Sequence, residues 1–242
     1  MGLKLMCVVA HPDDECYAFG GALALAANRG VETYVICLTD GQAATNRGDA
    51  ANGEALGKMR RKEFRASCEV LGVARHELLD YQDGHLEFVH FSQAAERLVE
   101  RMRRFKPDVV ITFGGDGGQN THADHMMTSM LTTAAFHWSG QPKRYPNAGE
   151  AHRASRLYYV TANFLMPDRQ PAMMMPWTVT LDIRTVRERK TEAFRKHVSQ
   201  APLMEKTRDI FERYGAEEFY SLVAVAEPQA ARLRTDLFDG LT

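Results

Sequence analysis

Two short segments hold most of the residues able to do chemistry. The first is Ala10-His11-Pro12-Asp13-Asp14-Glu15, one histidine and three acids after an apolar run from Leu5 to Val9. The second is Thr121-His122-Ala123-Asp124-His125, which follows Gly114-Gly115-Asp116-Gly117-Gly118. Ionisable groups this dense are costly beside a core unless something binds them, and a divalent metal is such a partner. His11 and Asp14 are three apart and can reach one point across a tight turn. Asp13 then points elsewhere and stays free to handle a proton. Two histidines and one carboxylate form a ligand set that leaves positions open for water and substrate. His11, Asp14 and His125 are therefore the expected metal ligands. Zinc is the first expectation for two nitrogens and an oxygen, with iron(II) as the alternative, because selectivity depends partly on availability.

Asp13 is the expected general base toward an attacking water. His122 is expected, when protonated, to donate to an oxyanion, with Asp124 holding its ring in the useful tautomer. Acids at a helix start are more often caps, which accounts for Asp13 or Asp14 but not for His11 as well. His76, His85, His90, His137 and His152 are expected to be merely hydrogen-bonded.

The elements that must position these groups alternate. Strands are expected over 3–9, 32–38, 77–81, 108–113, 156–161, 178–183 and 220–225. Helices are expected from Asp13 or Asp14 on through Ala27, over about 54–71, 92–105 and 125–138, and from Thr185 to Gln200. Thr185 and Glu188 have capping-box spacing. Arg101, Arg103 and Arg104 should form the solvated face of the helix over 92–105. The tail reads as surface helix. Strands alternating with helices give an α/β fold with a mostly parallel sheet. The length suits a single domain over 1–242, with a core over 1–165 and a smaller C-terminal extension over 166–242. If the first half follows the order 3-2-1-4, the first and fourth strands are neighbours and ligands bind at their carboxyl ends. The two polar clusters follow those two strands.

The net charge of −1 gives no global field to draw nucleic acid or an anionic membrane. No apolar run reaches the length of a membrane span; because the first residues read as a strand, no secretory leader is expected, and the cytoplasm is the expected location. Cys7, Cys16, Cys37 and Cys68 form no CxxC pair and read as small buried hydrophobes. Arg60 and Glu63 read equally as a surface ion pair and as a pair turned toward a polar site. His197 reads first as a satisfied helix histidine, with a site role as the sharper alternative. Met166 to Trp177 holds three prolines and four methionines. It is a packed loop by default, and otherwise a lid or a contact in a homo-oligomer.

With these residues in view, the chain resembles the PIG-L/LmbE family of metal-dependent de-N-acetylases. The resemblance rests on Ala10 to Glu15 and on His122-x-Asp124-His125. Leu38-Thr39-Asp40-Gly41, Arg60-x-x-Glu63 before Leu71-Gly72-Val73, Tyr81-x-Asp83-Gly84, and Lys190 through His197-x-Ser199-Gln200 support it in order. It implies a Rossmann-like fold and zinc-dependent removal of an N-acetyl group from an N-acetylglucosamine-containing molecule. The implied partner is a small N-acetylated amino sugar or glycoside. By position, His11, Asp14 and His125 match the ligands, Asp13 the base and His122 the oxyanion-stabilising histidine. Arg60, Glu63, Asp83 and His197 are the expected substrate-binding residues. The chain departs from the family pattern at Thr121 (usually glycine), Ala123 (usually proline), Gln42 (often glutamate) and Asn120 (tyrosine in some members). The alternatives are an amidase for a larger amide of a sugar–thiol conjugate, a non-catalytic sugar-binding protein, and a nucleotide-binding module at Gly114–Gly118. The last follows the fourth strand and lacks GxGxxG, a poor signal.

Overall fold

A computed structural model describes residues 2–119, 121–165 and 173–241. Asn120 and most of the Met166–Trp177 stretch lie outside the described residues. Seven strands build one sheet: β1 (Lys4–Val9), β2 (Glu32–Thr39), β3 (Arg75–Tyr81), β4 (Val109–Thr112), β5 (Arg156–Thr161), β6 (Val179–Asp182) and β7 (Glu217–Val225). Their order is β3-β2-β1-β4-β5-β7-β6. The first five run parallel, and β7 pairs antiparallel with both β5 and β6. The expected 3-2-1-4 order is therefore present, and the C-terminal strands extend the same sheet.

Strands at the centre of a parallel sheet are covered on both faces and read as continuous apolar runs. β1 obeys this rule. Leu5, Cys7 and Val9 pack on one face with Phe19, Leu23 and Phe64. Met6 and Val8 pack on the other with Leu98, Met102 and Leu131. Cys7 sits opposite Val35 of β2 and Ile111 of β4, so the ends of β1 and β4 lie side by side. All four cysteines are buried and free. Among the described residues no helix is long and apolar enough to cross a membrane.

The helices are α1 (Asp14–Tyr17), α2 (Gly20–Asn28), α3 (Gly53–Leu71), α4 (Phe91–Phe105), α5 (Ala123–Ser139), α6 (Arg187–Arg195), α7 (Ala201–Lys206) and α8 (Arg208–Tyr214). The single helix expected over 13–27 is split into α1 and α2. The cause lies in a distant strand. The Glu218 carboxylate of β7 accepts the backbone N–H groups of Gly21 and Ala22 at 2.7 and 2.9 Å, supplying an N-terminal cap that α2 lacks locally. A Cβ at Gly21 would lie 2.5 Å from Ile183 and 2.7 Å from that carboxylate, so only glycine fits. Lys190 completes the group with an ion pair to Glu218 at 2.6 Å.

Three other expectations fail locally. The Thr185–Glu188 capping box does not form: a 3-10 turn over Arg184–Val186 leads into α6, whose N-cap is Val186 without a side-chain bond. α6 ends at Arg195 rather than Gln200. The tail has no helix among the described residues, and Arg234 instead bridges to Val179 beside β6.

Arg103 is the largest departure. It is only 2 % exposed, not on the solvated face. Its guanidinium donates to the carbonyls of Ser139, Gln141, Arg144 and Tyr145 at 2.6–3.0 Å. It thereby satisfies the end of α5 and pins the loop that follows, and a cation suits a helix C-terminus. Arg103→Met keeps the apolar stem but strands these carbonyls. It should lower stability by about 2–4 kcal/mol, read as a fall of several degrees in the thermal unfolding midpoint.

Candidate metal centre

The chain enters the site at the end of β1. Asp13, immediately before α1, has φ of 116°, a left-handed conformation that costs a non-glycine residue about 1–3 kcal/mol. Hydrogen bonds on Asp13 and on the chain beside it hold it there. Its N–H donates to Glu15 Oε2 at 2.9 Å, and its carbonyl accepts the N–H of Tyr17 at 2.8 Å. Arg60 of α3 donates to Asp13 Oδ2 at 3.1 Å and to the carbonyls of Pro12 and Gly41. The strain therefore sits at the proposed base.

The second cluster arrives at the start of α5. Gly117 and Gly118 have φ of 65° and 67°, and Thr121 has φ of 48°. The turn explains the glycine common at position 121 in the resembling family, since glycine adopts this conformation freely. Asp116 stabilises the turn by accepting the N–H groups of Gly118 and Gln119. The glycine-rich segment serves to aim α5, and the Gly117 carbonyl accepts His125 Nδ1–H at 3.0 Å.

His11 Nδ1 lies 3.2 Å from His125 Nε2. Asp14 Oδ1 is 3.3 Å from His125 Nε2, and Asp14 Oδ2 is 3.7 Å from His11 Nδ1. Nitrogen and oxygen ligands held about 2.0–2.2 Å from a zinc ion at tetrahedral angles are about 3.3–3.6 Å apart, so the three groups have the spacing of one shared coordination sphere. Their far sides fit too. His125 Nδ1–H is engaged by a carbonyl. His11 Nε2 faces Asp83 Oδ1 at 3.0 Å and Asp124 Oδ2 at 3.1 Å. Each ring thus turns a lone pair toward the centre, with the outer hydrogen bonds typical of metal-ligating histidine. The backbone N–H of His11 donates to Asp14 Oδ2 at 2.8 Å and orients that carboxylate.

The electrostatics match. Burial disfavours a charged His11, but its hydrogen bonds to Asp124 and Asp83 outweigh it and push the imidazole up to about 10. Burial also works against ionised Asp14, yet His125 and His11 hold it well below the usual carboxylate range. A carboxylate-rich site that favours a cation so strongly would take up a metal by exchanging protons for it. Burial raises Asp13 to about 6, with Arg60 opposing, which is near the optimum for a base working close to neutrality.

A cavity of about 450 Å³ opens over this centre. His11, Asp13, Asp14, Arg60, Asp83, His122 and His125 line it. Three expected site residues do not. Asp124 is fully buried beneath His11, where it also accepts the N–H groups of Gly84 and Leu86 at 2.7 and 3.0 Å. It does not hold the His122 ring. Instead its backbone N–H donates to His122 Nδ1 at 3.2 Å. That leaves Nε2–H as the free donor of His122. Burial and the neighbouring His11 and His125 hold His122 below the usual imidazole range, which favours its neutral form over the expected imidazolium.

Glu63 and His197 lie behind the cavity wall. Glu63 accepts the N–H and hydroxyl of Ser199 at 2.8 and 2.6 Å and makes no pair with Arg60. His197 Nε2 donates to Glu15 Oε1 at 2.8 Å, and Ser67 donates to the same oxygen at 2.5 Å. Sequence reasoning gave Glu15 no role. It is the buried carboxylate that ties Asp13 to α3 and to the segment after α6. A partner 182 positions away left no local signal.

The Glu15–His197 pair predicts a pH profile. Burial lowers His197, but Glu15 outweighs it and keeps the pKa raised. Its stabilisation is therefore lost as pH rises through that raised value. Burial raises Glu15, but His197 and Ser67 keep it lowered, so its share is lost as pH falls through the lowered value. His197→Ala should cost about 3–5 kcal/mol near neutral pH and less in alkali, where the intact protein has already lost the pair. Thermal unfolding across pH reads this directly.

A mostly parallel sheet flanked by helices, with a His-Asp-His group at the β1 and β4 ends, defines a candidate metal-dependent hydrolase. The family follows from comparison: a model described as PIG-L, GlcNAc-PI de-N-acetylase, matches residues 6–136, more than half of the 242-residue chain, and the chain belongs to that family. Among its relatives is a mycothiol S-conjugate amidase of Streptomyces coelicolor, 32 % identical over 65 % of this chain and 60 % of the relative. The chain thus spans less than two thirds of that protein. A 1D-myo-inositol 2-acetamido-2-deoxy-alpha-D-glucopyranoside deacetylase of Rhodococcus jostii is 27 % identical over 98 % of both chains. The structure of the N,N'-diacetylchitobiose deacetylase of Pyrococcus horikoshii superposes with a TM-score of 0.77 at 23 % identity, covering 91 % of this chain and 83 % of that one. This likeness supports the fold.

Proposed function

We propose that the protein is a zinc-dependent hydrolase that removes the N-acetyl group from a small N-acetylglucosamine-containing molecule. The observation that carries this reading is the convergence of His11 Nδ1, Asp14 and His125 Nε2 beside Asp13, whose carboxylate pairs with Arg60. The relatives' names supply the acetylated amino sugar.

His11, Asp14 and His125 would hold the ion. The chemistry a divalent cation supplies there is Lewis acidity and a more acidic water. Asp13 removes a proton from the attacking water, oriented by Arg60 at 3.1 Å. His122 Nε2–H donates to the oxygen that becomes negative as water adds to the amide carbon. As the C–N bond breaks, the proton held by Asp13 passes to the departing amine. Acetate and a free amino sugar result. Asp83, on the cavity wall, stands where a sugar hydroxyl can donate to it while it also supports His11.

The test is metal content measured together with acetate release from a panel of N-acetylated sugars. Bound zinc with stoichiometric acetate and amine is the expected result. A folded protein that binds no divalent ion, or a loaded one that releases no acetate from any member, overturns the reading.

A further inference from the structure

The cavity over the metal centre has a second wall that acetyl removal leaves unexplained. Tyr17, Phe164, Leu203, Phe211, Tyr214 and Phe219 line it. The Phe164 and Tyr214 rings stack with centroids 4.1 Å apart and planes within 14°. Phe211 meets Tyr17 edge-on at 5.2 Å and lies parallel to Phe194 at 5.7 Å. Aromatic rings fixed against one another are ordered before any ligand arrives, which lowers the entropic cost of binding.

The charges on the cavity lining point the same way. Its described cations outside the histidines are Arg60 and Lys190. Arg60 is paired with Asp13 at 3.1 Å, and Lys190 with Glu218 at 2.6 Å. Glu217, also on the lining, is an exposed acid. An anionic group would leave water without gaining a free cation, a net cost. A polyol would meet mostly ring faces on this wall, where the Tyr17 and Tyr214 hydroxyls offer few hydrogen bonds. An alkyl or aryl group instead gains by covering apolar surface.

We propose that this wall is an aglycone subsite, and that the amine half of the substrate carries an apolar alkyl or aryl group. The inference rests on the deacetylation reading above. Under that reading the acyl half is only acetyl, so the leaving half must fill the aromatic wall.

The test uses the metal-loaded protein and N-acetylglucosamine glycosides with methyl, hexyl, phenyl and carboxymethyl aglycones. Acetate release should show kcat/KM for the hexyl and phenyl glycosides at least about tenfold above methyl, with carboxymethyl below methyl. Tyr214→Ala, at a side chain already 40 % exposed, should reduce the hexyl-to-methyl ratio. Equal values across the series, or a preference for carboxymethyl, overturn the subsite. So does faster turnover of a methyl glycoside bearing an N-hexanoyl group than of the hexyl glycoside, because it assigns the wall to the acyl half. If no glycoside releases acetate, the deacetylation reading falls, and calorimetry with hexyl and methyl glucosaminides judges the wall separately. Hexyl binding about tenfold tighter upholds it, and equal affinity overturns it.

Discussion

Asp13→Asn should bind the metal with unchanged stoichiometry and turn over about 10²–10⁴-fold more slowly. The substitution is nearly isosteric, so the backbone bond to Glu15 and the carbonyl contacts to α1 persist. Asparagine can still accept from Arg60 through its amide oxygen. What disappears is the ability to take and return a proton. The loss should fall on kcat, with KM little changed, because the group acts on the water and the departing amine. Metal analysis and steady-state kinetics on the same preparation separate this outcome from a collapsed site. Unimpaired turnover would remove Asp13 as the base.

His125→Ala should abolish tight metal binding and, with it, acetate release. A change to an outer hydrogen-bond partner of a ligand typically costs about 10–100-fold in metal affinity, and deleting a ligand costs more. Here the effect is compounded, because His125 sits against both other donor groups at 3.2 and 3.3 Å. Without it, His11 and Asp14 remain as two ligands, too few for a tight site. The ring also stacks on Phe113 at 4.2 Å, so some stability is lost as well. Metal titration followed by calorimetry gives the affinity, and unfolding in excess chelator isolates the packing contribution. Near-native metal affinity would mean that the ligand set is misassigned.

The grouping of His11, Asp14 and His125 and the strand order of the first half were legible because their signals are written locally. Apolar runs such as Val109 to Thr112 declare buried parallel strands, and alternation with helices constrains their order. His11, Asp14 and His125 stand out because charged groups at strand ends need a partner. The errors share a different origin. Arg103 occupies a position that local helix periodicity assigns to solvent, and only the course of the 139–149 loop makes it buried. Sequence proximity pairs Asp124 with its neighbour His122, whereas the fold sends its carboxylate to His11, 113 positions earlier. The break between α1 and α2 depends on Glu218, and the docking of Ser199 depends on Glu63. A side chain's type limits its possible partners. Which partner it meets is decided by chain topology.

The left-handed backbone at Asp13 carries an evolutionary consequence. Glycine is the residue best suited to that torsion, yet glycine carries no carboxylate. Every generation of random substitution at this codon therefore meets opposed pressures: Asp13→Gly should relieve the local strain and lose most turnover. A library selected only for thermal endurance would tend to enrich the impaired variant, whereas one selected for acetate release would restore the aspartate. Sequencing the survivors of the two selections would set the fold's preference at position 13 against the reaction's.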